Sequence, residues 1–259
     1  MNSLINYTEH LADNSLILGQ RNAEWCGHGP VLEQDIAITN ISLDLIGQAR
    51  NFYQYAASLI NQLTDKPINP NTEDTLACLR TEREFKNCLL VEQPMVTGDR
   101  PFLRQFFFSA YQHLLFSELQ NSKDKQLAAI AEKSLKEVTY HLRWSSEWVI
   151  RLGDGTEESH TRMQKAIEEL WRYTGELFQS TGYEQQAAQE EIGVDVSKLK
   201  EPWMRKVKEV LEEGNLLKAL PVGGGWVGLC GKEGIHTEHL GYILTELQYL
   251  QRTYPGAEW

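Results

Sequence analysis

Apolar residues recur at helical spacing over most of the chain. Between Asn2 and Asn22, Leu4, Ile5, Leu11, Leu16, Ile17 and Leu18 form a slightly drifting stripe, the mark of an amphipathic helix. Glu33 to Leu63 carries a longer series that includes Ile36, Ile38, Ile41, Leu43, Leu45, Ile46, Phe52, Tyr53, Leu59 and Leu63. A helix of that length runs ~45 Å at 1.5 Å per residue. Its apolar positions cover more than one face, which predicts a central place in a bundle. Lys66-Pro67-Ile68-Asn69-Pro70 ends it, because proline lacks the donor that the helical ladder needs.

Thr72 is a suitable N-cap for a third helix, predicted to reach Gln93 and to close at Pro94. Asp99 and Pro101 suit the first turn of a fourth helix, to about Asn121. A fifth spans Lys125 to Leu152 and breaks at Gly153-Asp154-Gly155. A sixth runs from about Glu158 to Ser180. The Gln- and Glu-rich stretch from Thr181 to Glu201 is predicted to be less ordered. A seventh helix spans Glu201 to Glu213, and the last runs from about His236 to Thr253. No segment alternates with a period of two between hairpin turns. The pattern predicts an all-α protein, an antiparallel helix bundle folded as a single domain over residues 1–259.

Composition agrees: the 259 residues are 41% hydrophobic and 24% charged, enough for a soluble globule with a substantial core. The formal net charge of -11 argues against nucleic acid and against an anionic membrane surface as partners. It leaves room for an anionic small molecule in a local Lys/Arg pocket. No apolar run approaches the ~20 residues of a membrane span. Cys26, Cys78, Cys88 and Cys230 form no Cys-x-x-Cys pair. With no signal peptide, they read as reduced thiols of a cytoplasmic protein.

The stretch KEVTYHLRW places Glu137 and His141 four apart on the predicted fifth helix, close enough to share a face. A ferritin-like di-iron centre needs more: a Glu from each of two helices and Glu-x-x-His from each of the other two. The histidines are His10, His28, His113, His141, His160, His236 and His239, with none between His28 and His113. Helices two and three therefore supply no Glu-x-x-His. Helix two offers Asp44. Helix three offers Glu84 with Asn87 in the histidine position, and helix five offers Glu137 with Tyr140 there. Helix four offers Ser117 and Glu118. Lys86 would add positive charge where a di-iron core needs carboxylates. Asp44, Glu84, Asn87, Glu137, Tyr140 and His141 thus read as remnants of a degenerate site, with no metal and no catalytic residue in the chain.

Three further motifs read as structure. Glu233-Gly234-Ile235-His236 is a true Glu-x-x-His, and His236 and His239 are three apart. It straddles a helix start, where capping and packing are its expected roles. Gly223 to Gly228 has the letters of G-x-G-x-x-G but neither follows a strand nor opens a helix. With Leu220, Trp226, Val227 and Leu229 it is unusually apolar for a loop, a hint of docking against another surface. Cys26 and His28, two apart between the first two helices, form a corner rather than a nucleophile–base pair.

Four segments carry a family resemblance: EWCGHGPVLEQDIAITNISLDLIGQARNF (Glu24 to Phe52), LLVEQP (Leu89 to Pro94), KEVTYHLRW (Lys136 to Trp144) and GIHTEHLGYILTELQYLQR (Gly234 to Arg252). They resemble the C subunits of the ring-1,2-phenylacetyl-CoA epoxidases, over essentially the whole chain. The resemblance implies a ferritin-like bundle within a multicomponent bacterial monooxygenase of phenylacetate degradation. In that system the A subunit holds a di-iron centre and inserts one oxygen atom of O2 across the ring of phenylacetyl-CoA. A small B subunit and a reductase carrying FAD and an iron–sulfur cluster complete it, with NADPH as electron source. The C subunit lacks the metal ligands, pairs with A and holds it in its competent shape.

The resemblance also implies that Glu84, Phe85, Lys86 and Asn87, and Gln185, Gln186 and Ala187, lie near the acyl-CoA. Phe85 and Asn87 fit the family's pattern; Glu84, Lys86 and the Gln185 segment depart from it. Lys86 could meet a CoA phosphate, and Phe85 could pack on adenine. Two other readings stay open: an acyl-CoA-binding helical module without a catalytic partner, and a self-sufficient di-iron oxygenase, which needs a full ligand set.

Overall fold

The computed structural model describes residues 2–63, 70–94, 100–221, 228 and 230–257. The fold is all-α, of the ferritin-like class. The described residues form ten α-helices joined by short 3₁₀ turns, without a strand. Three stretches singled out in the sequence lie outside the described residues: the breaker at 66–69, Asp99, and the Gly-rich stretch 223–227 with Leu229. The helices group into two compact units, Met1–Pro94 with Leu229–Trp259, and Met95–Gly228.

In the first unit, α1 (Asn2–Ala23) and α2 (Leu32–Gln62) form a helical hairpin. They cross closely at Gly19, where a Cβ would lie 3.2 Å from both Ile46 Cγ1 and Leu45 Cβ. The Ser42 hydroxyl donates to the Gly19 carbonyl at 2.6 Å across the same crossing. The prediction of a central α2 needs correction. The helix buried nearly all round is α1, polar residues included, while α2 leaves Leu32, Ile36, Leu43 and Ile46 exposed. Polar side chains can occupy the interior when hydrogen bonds meet their needs, as those of Thr8, Asp13, Asn14 and Ser15 on α1 do.

The predicted third helix also needs correction. It breaks into α3 (Glu73–Cys78), a 3₁₀ turn (Glu82–Glu84) and a single helical turn, α4 (Leu89–Glu92). Thr72 caps α3 as expected. A second cap then interrupts the helix, as the Glu84 carboxylate accepts from the Thr81 amide at 2.7 Å and hydroxyl at 2.6 Å. Phe85 and Cys88 are extended. Side chains of α1 satisfy the backbone there: Lys86 N–H donates to Asp13 at 2.7 Å and Cys88 N–H to Asn14 at 2.8 Å. His10 Nδ1 donates to the Lys86 carbonyl at 2.7 Å. Those bonds replace the ones a continuous helix would have made. α10 (Glu238–Thr253) closes this unit.

In the second unit, α5 (Arg100–Leu119) and α6 (Lys125–Gly153) form another hairpin, with α6 capped by Asp124. α7 (Glu157–Trp171) stops short of the predicted Ser180, and a 3₁₀ turn covers Gly175–Phe178. The stretch predicted to be less ordered instead holds α8 (Gly182–Gln189), opened by a reciprocal cap between Thr181 and Glu184. α9 (Lys200–Glu213) follows. The core here is aromatic. Trp203 donates its indole N–H to the Phe107 carbonyl at 2.9 Å and stacks on Trp171 with centroids 5.8 Å apart.

Candidate functional site

The segment Glu84–Asn87, singled out in the sequence, threads a buried polar network in the first unit. Asp13 of α1 is at its centre and wholly buried. It accepts from both terminal nitrogens of Arg80, from the Tyr53 hydroxyl and from the Lys86 amide. The Arg80 guanidinium also lies over the Phe85 ring, 4.3 Å from its centroid, a cation–π contact. Burial, then the negative charge of Asp13, holds the Tyr53 hydroxyl well above its ordinary pKa. Burial alone would pull Arg80 down, but the negative charge of Asp13 outweighs it and holds the guanidinium above its ordinary value.

The four residues of the segment divide sharply. Phe85 is wholly buried beneath Arg80, and Asn87 is wholly buried too. Glu84 is exposed, and hydrogen bonds from Thr81 hold its carboxyl below the usual range. The Lys86 side chain is 20% exposed and donates to Glu9 at 2.6 Å.

On the far side of Asn87 stands Glu92, buried completely and paired with the C-terminal segment. Its carboxylate accepts from the Asn87 amide at 2.9 Å, His236 Nδ1 at 2.9 Å, and the Thr237 amide and hydroxyl at 2.7 and 2.6 Å. His236 Nε2 lies 2.9 Å from the Phe85 carbonyl. Both ring nitrogens therefore face acceptors, an arrangement suited to the doubly protonated ring. The joint is close: a Cβ on Gly231 would lie 2.3 Å from the Asn87 carbonyl.

A family model described as phenylacetic acid catabolic protein matches residues 1–259. The chain belongs to this family. It is similar over its full length to the C subunit of 1,2-phenylacetyl-CoA epoxidase from Escherichia coli (strain K12), at 47% identity over 263 residues and 100% of each chain. The resemblance read from the four sequence segments thus extends to the whole polypeptide.

A ferritin-like member of the phenylacetic acid catabolic family raises the question of a paired-iron centre. The carboxylates of the first-unit network do not fit one. Asp13, Glu9 and Glu92 each accept from cations or several N–H and O–H groups of the chain itself. Among the described residues no three His, Cys, Asp or Glu side chains converge as metal ligands would. The residues read as remnants divide between the units. Asp44 is half-buried on α2, while Glu84 and Asn87 serve the separate bonds just described. Glu137, Tyr140 and His141 belong to α6, where His141 is buried and Tyr140 exposed. Ser117 back-bonds to the His113 carbonyl, and Glu118 is exposed.

Gln185, Gln186 and Ala187 belong to α8 in the second unit. Gln185 and Gln186 are exposed, and Gln186 donates to Glu190 at 2.9 Å. Ala187 is buried, and its carbonyl accepts from Ile192 and Gly193 where the helix ends. The sequence reading missed Asp13, Tyr53, Arg80 and Glu92. The available signal was a lone acid in each of two apolar runs, Asp13 on α1 and Glu92 in LLVEQP.

Proposed function

We propose that this chain is the non-catalytic structural subunit of a multicomponent di-iron monooxygenase that epoxidises the ring of phenylacetyl-CoA. Its role is to hold a catalytic A subunit in its working shape. A small B subunit and a reductase with FAD, an iron–sulfur cluster and NADPH complete the system. One observation supports the reading: the buried acids of the first unit, Asp13, Glu9 and Glu92, are occupied by Arg80, Lys86, Asn87, His236 and Thr237, which turn them to holding the chain together, and no three potential ligands converge among the described residues. The 47% identity to the C subunit of an epoxidase supports the choice of system.

In this reading Lys86 and Glu84 are the parts of the segment open to an acyl-CoA, with Gln185 and Gln186 as the corresponding pair on α8. Phe85 and Asn87 act from beneath by fixing the backbone. Four free cysteines suit a reducing, cytoplasmic setting, and no described helix is long and apolar enough to cross a membrane. The test is to purify the chain alone and with the A subunit, count iron by elemental analysis and assay epoxidation. Iron and activity are expected only where A is present. Two irons per chain in this protein alone would overturn the proposal.

A further inference from the structure

Before α10 begins, the chain returns to the first unit as a strap against residues 83–92. Two glycines let it lie there. A Cβ on Gly231 would stand 2.3 Å from the Asn87 carbonyl, and one on Gly234, at φ +78°, 2.4 Å from the Arg83 carbonyl. The strap is then held by Arg83, which donates to the Gly234 carbonyl at 3.3 Å, and by the bonds of His236 and Thr237 to Glu92 and Phe85.

The side chains of His236 and Glu92 have no exposed surface. With the ring doubly protonated the pair is neutral, and each N–H has an acceptor. Removing one proton changes two things together. A bare ring nitrogen then faces a lone pair of Glu92 or of the Phe85 carbonyl at 2.9 Å. The buried pair, which titrates as a unit, also takes on a net negative charge. Asn87 adds to the bias. It donates to Glu92 and to the Cys88 carbonyl, but its own Oδ1 is buried without a partner, so the closed strap already carries one unmet acceptor.

The other charges nearby do not take the place of the imidazolium. Arg21 donates to the main-chain carbonyls of Glu92 and His239 and pairs with Glu24. Lys232 is buried within the strap itself. Glu82, Glu84, Glu233 and Glu238 are exposed, and His239 is half-buried.

We propose that His236 is a proton-operated latch: its imidazolium clasps residues 230–237 onto residues 83–92, and loss of the proton lets them come away. The closed strap holds that proton with two acceptors, and an open strap has neither. Linkage therefore favours the closed form at lower pH and the open form as pH rises. The function proposed above does not depend on the latch.

Hydrogen–deuterium exchange of the full chain, read by mass spectrometry from about pH 6.5 to about pH 9.5, tests this below the range in which Tyr53 titrates. Each rate is divided by the intrinsic rate at the same pH. Above the midpoint, protection of the amides in 230–240 falls ~10-fold per pH unit, as release of one proton requires, while α6 keeps its protection. His236→Gln has no proton to lose and shows the same low protection in 230–240 throughout. Wild-type protection that ignores pH would overturn the latch, and so would a step shared by α6 or one that survives in His236→Gln. Should that variant fail to fold, the 15N-histidine spectrum of wild type decides. At about pH 8, where an exposed ring such as that of His28 is neutral, an imidazolium signal must persist; its absence would overturn the latch.

Discussion

Tyr53 and Asp13 show what a single buried residue can do to the response of the protein to pH. The hydroxyl donates to a carboxylate in a fully buried site, so its ionised form is disfavoured. The folded pKa lies above the unfolded one. The unfolded chain therefore loses this proton first as pH rises, and stability falls from about pH 10 upward. Thermal melts across that range should decline for wild type and decline less for Tyr53→Phe. A Phe variant that loses stability along the same alkaline limb would exclude Tyr53 as the cause. Glu92 gives a second expectation at this scale. Glu92→Ala leaves His236, Thr237 and Asn87 without their shared acceptor. Removing one member of a buried charged pair costs about 3–5 kcal/mol. Urea denaturation should register that loss, and a cost below about 1 kcal/mol would mean that the carboxylate is not the joint described.

Two glycines separate close packing from open space at the scale of the helix. A Cβ on Gly153 would lie 2.3 Å from the Gly214 carbonyl, so Gly153→Ala forces the end of α6 away from α9 and destabilises the protein. Gly47→Ala meets no atom and should stabilise the chain by about 0.5–1 kcal/mol. Chemical denaturation of the two variants checks both signs; a shift in the same direction would break the contrast. Elements with local signals were legible in the sequence: α5 and α6 follow from their periodicity, with Pro101 in the first turn of one and Gly153 at the end of the other. The third helix was not, because the groups that hold 86–88 extended are His10, Asp13 and Asn14, about 250 Å away along a fully extended chain. α8 had a local signal, Thr181 three residues before Glu184, obscured by the Gln-rich composition after it. Apolar periodicity named α2 as central because it counts side chains and not the hydrogen bonds that let α1 carry polar ones inside. Of the candidate site, the segment Glu84–Asn87 was located from sequence, but Arg80 and Glu92, which fix it, were not.

At the scale of the whole molecule the proposed function carries a consequence for folding. If it serves a catalytic subunit, mass action links the folding of each to the presence of the other. The catalytic chain expressed alone should be poorly soluble or inactive, and co-expression should restore both properties and raise its melting temperature. A monodisperse, fully active lone catalytic chain would contradict this. The first unit, moreover, is discontinuous: its two pieces, Met1–Pro94 and Leu229–Trp259, flank all of the second. Glu92 receives His236 and Thr237 from the later piece. During synthesis the ribosome delivers the entire second unit before it delivers that histidine. The part begun first is thus completed last, and until then α4 waits with its acid unclasped, the interval in which a nascent chain is most in need of protection.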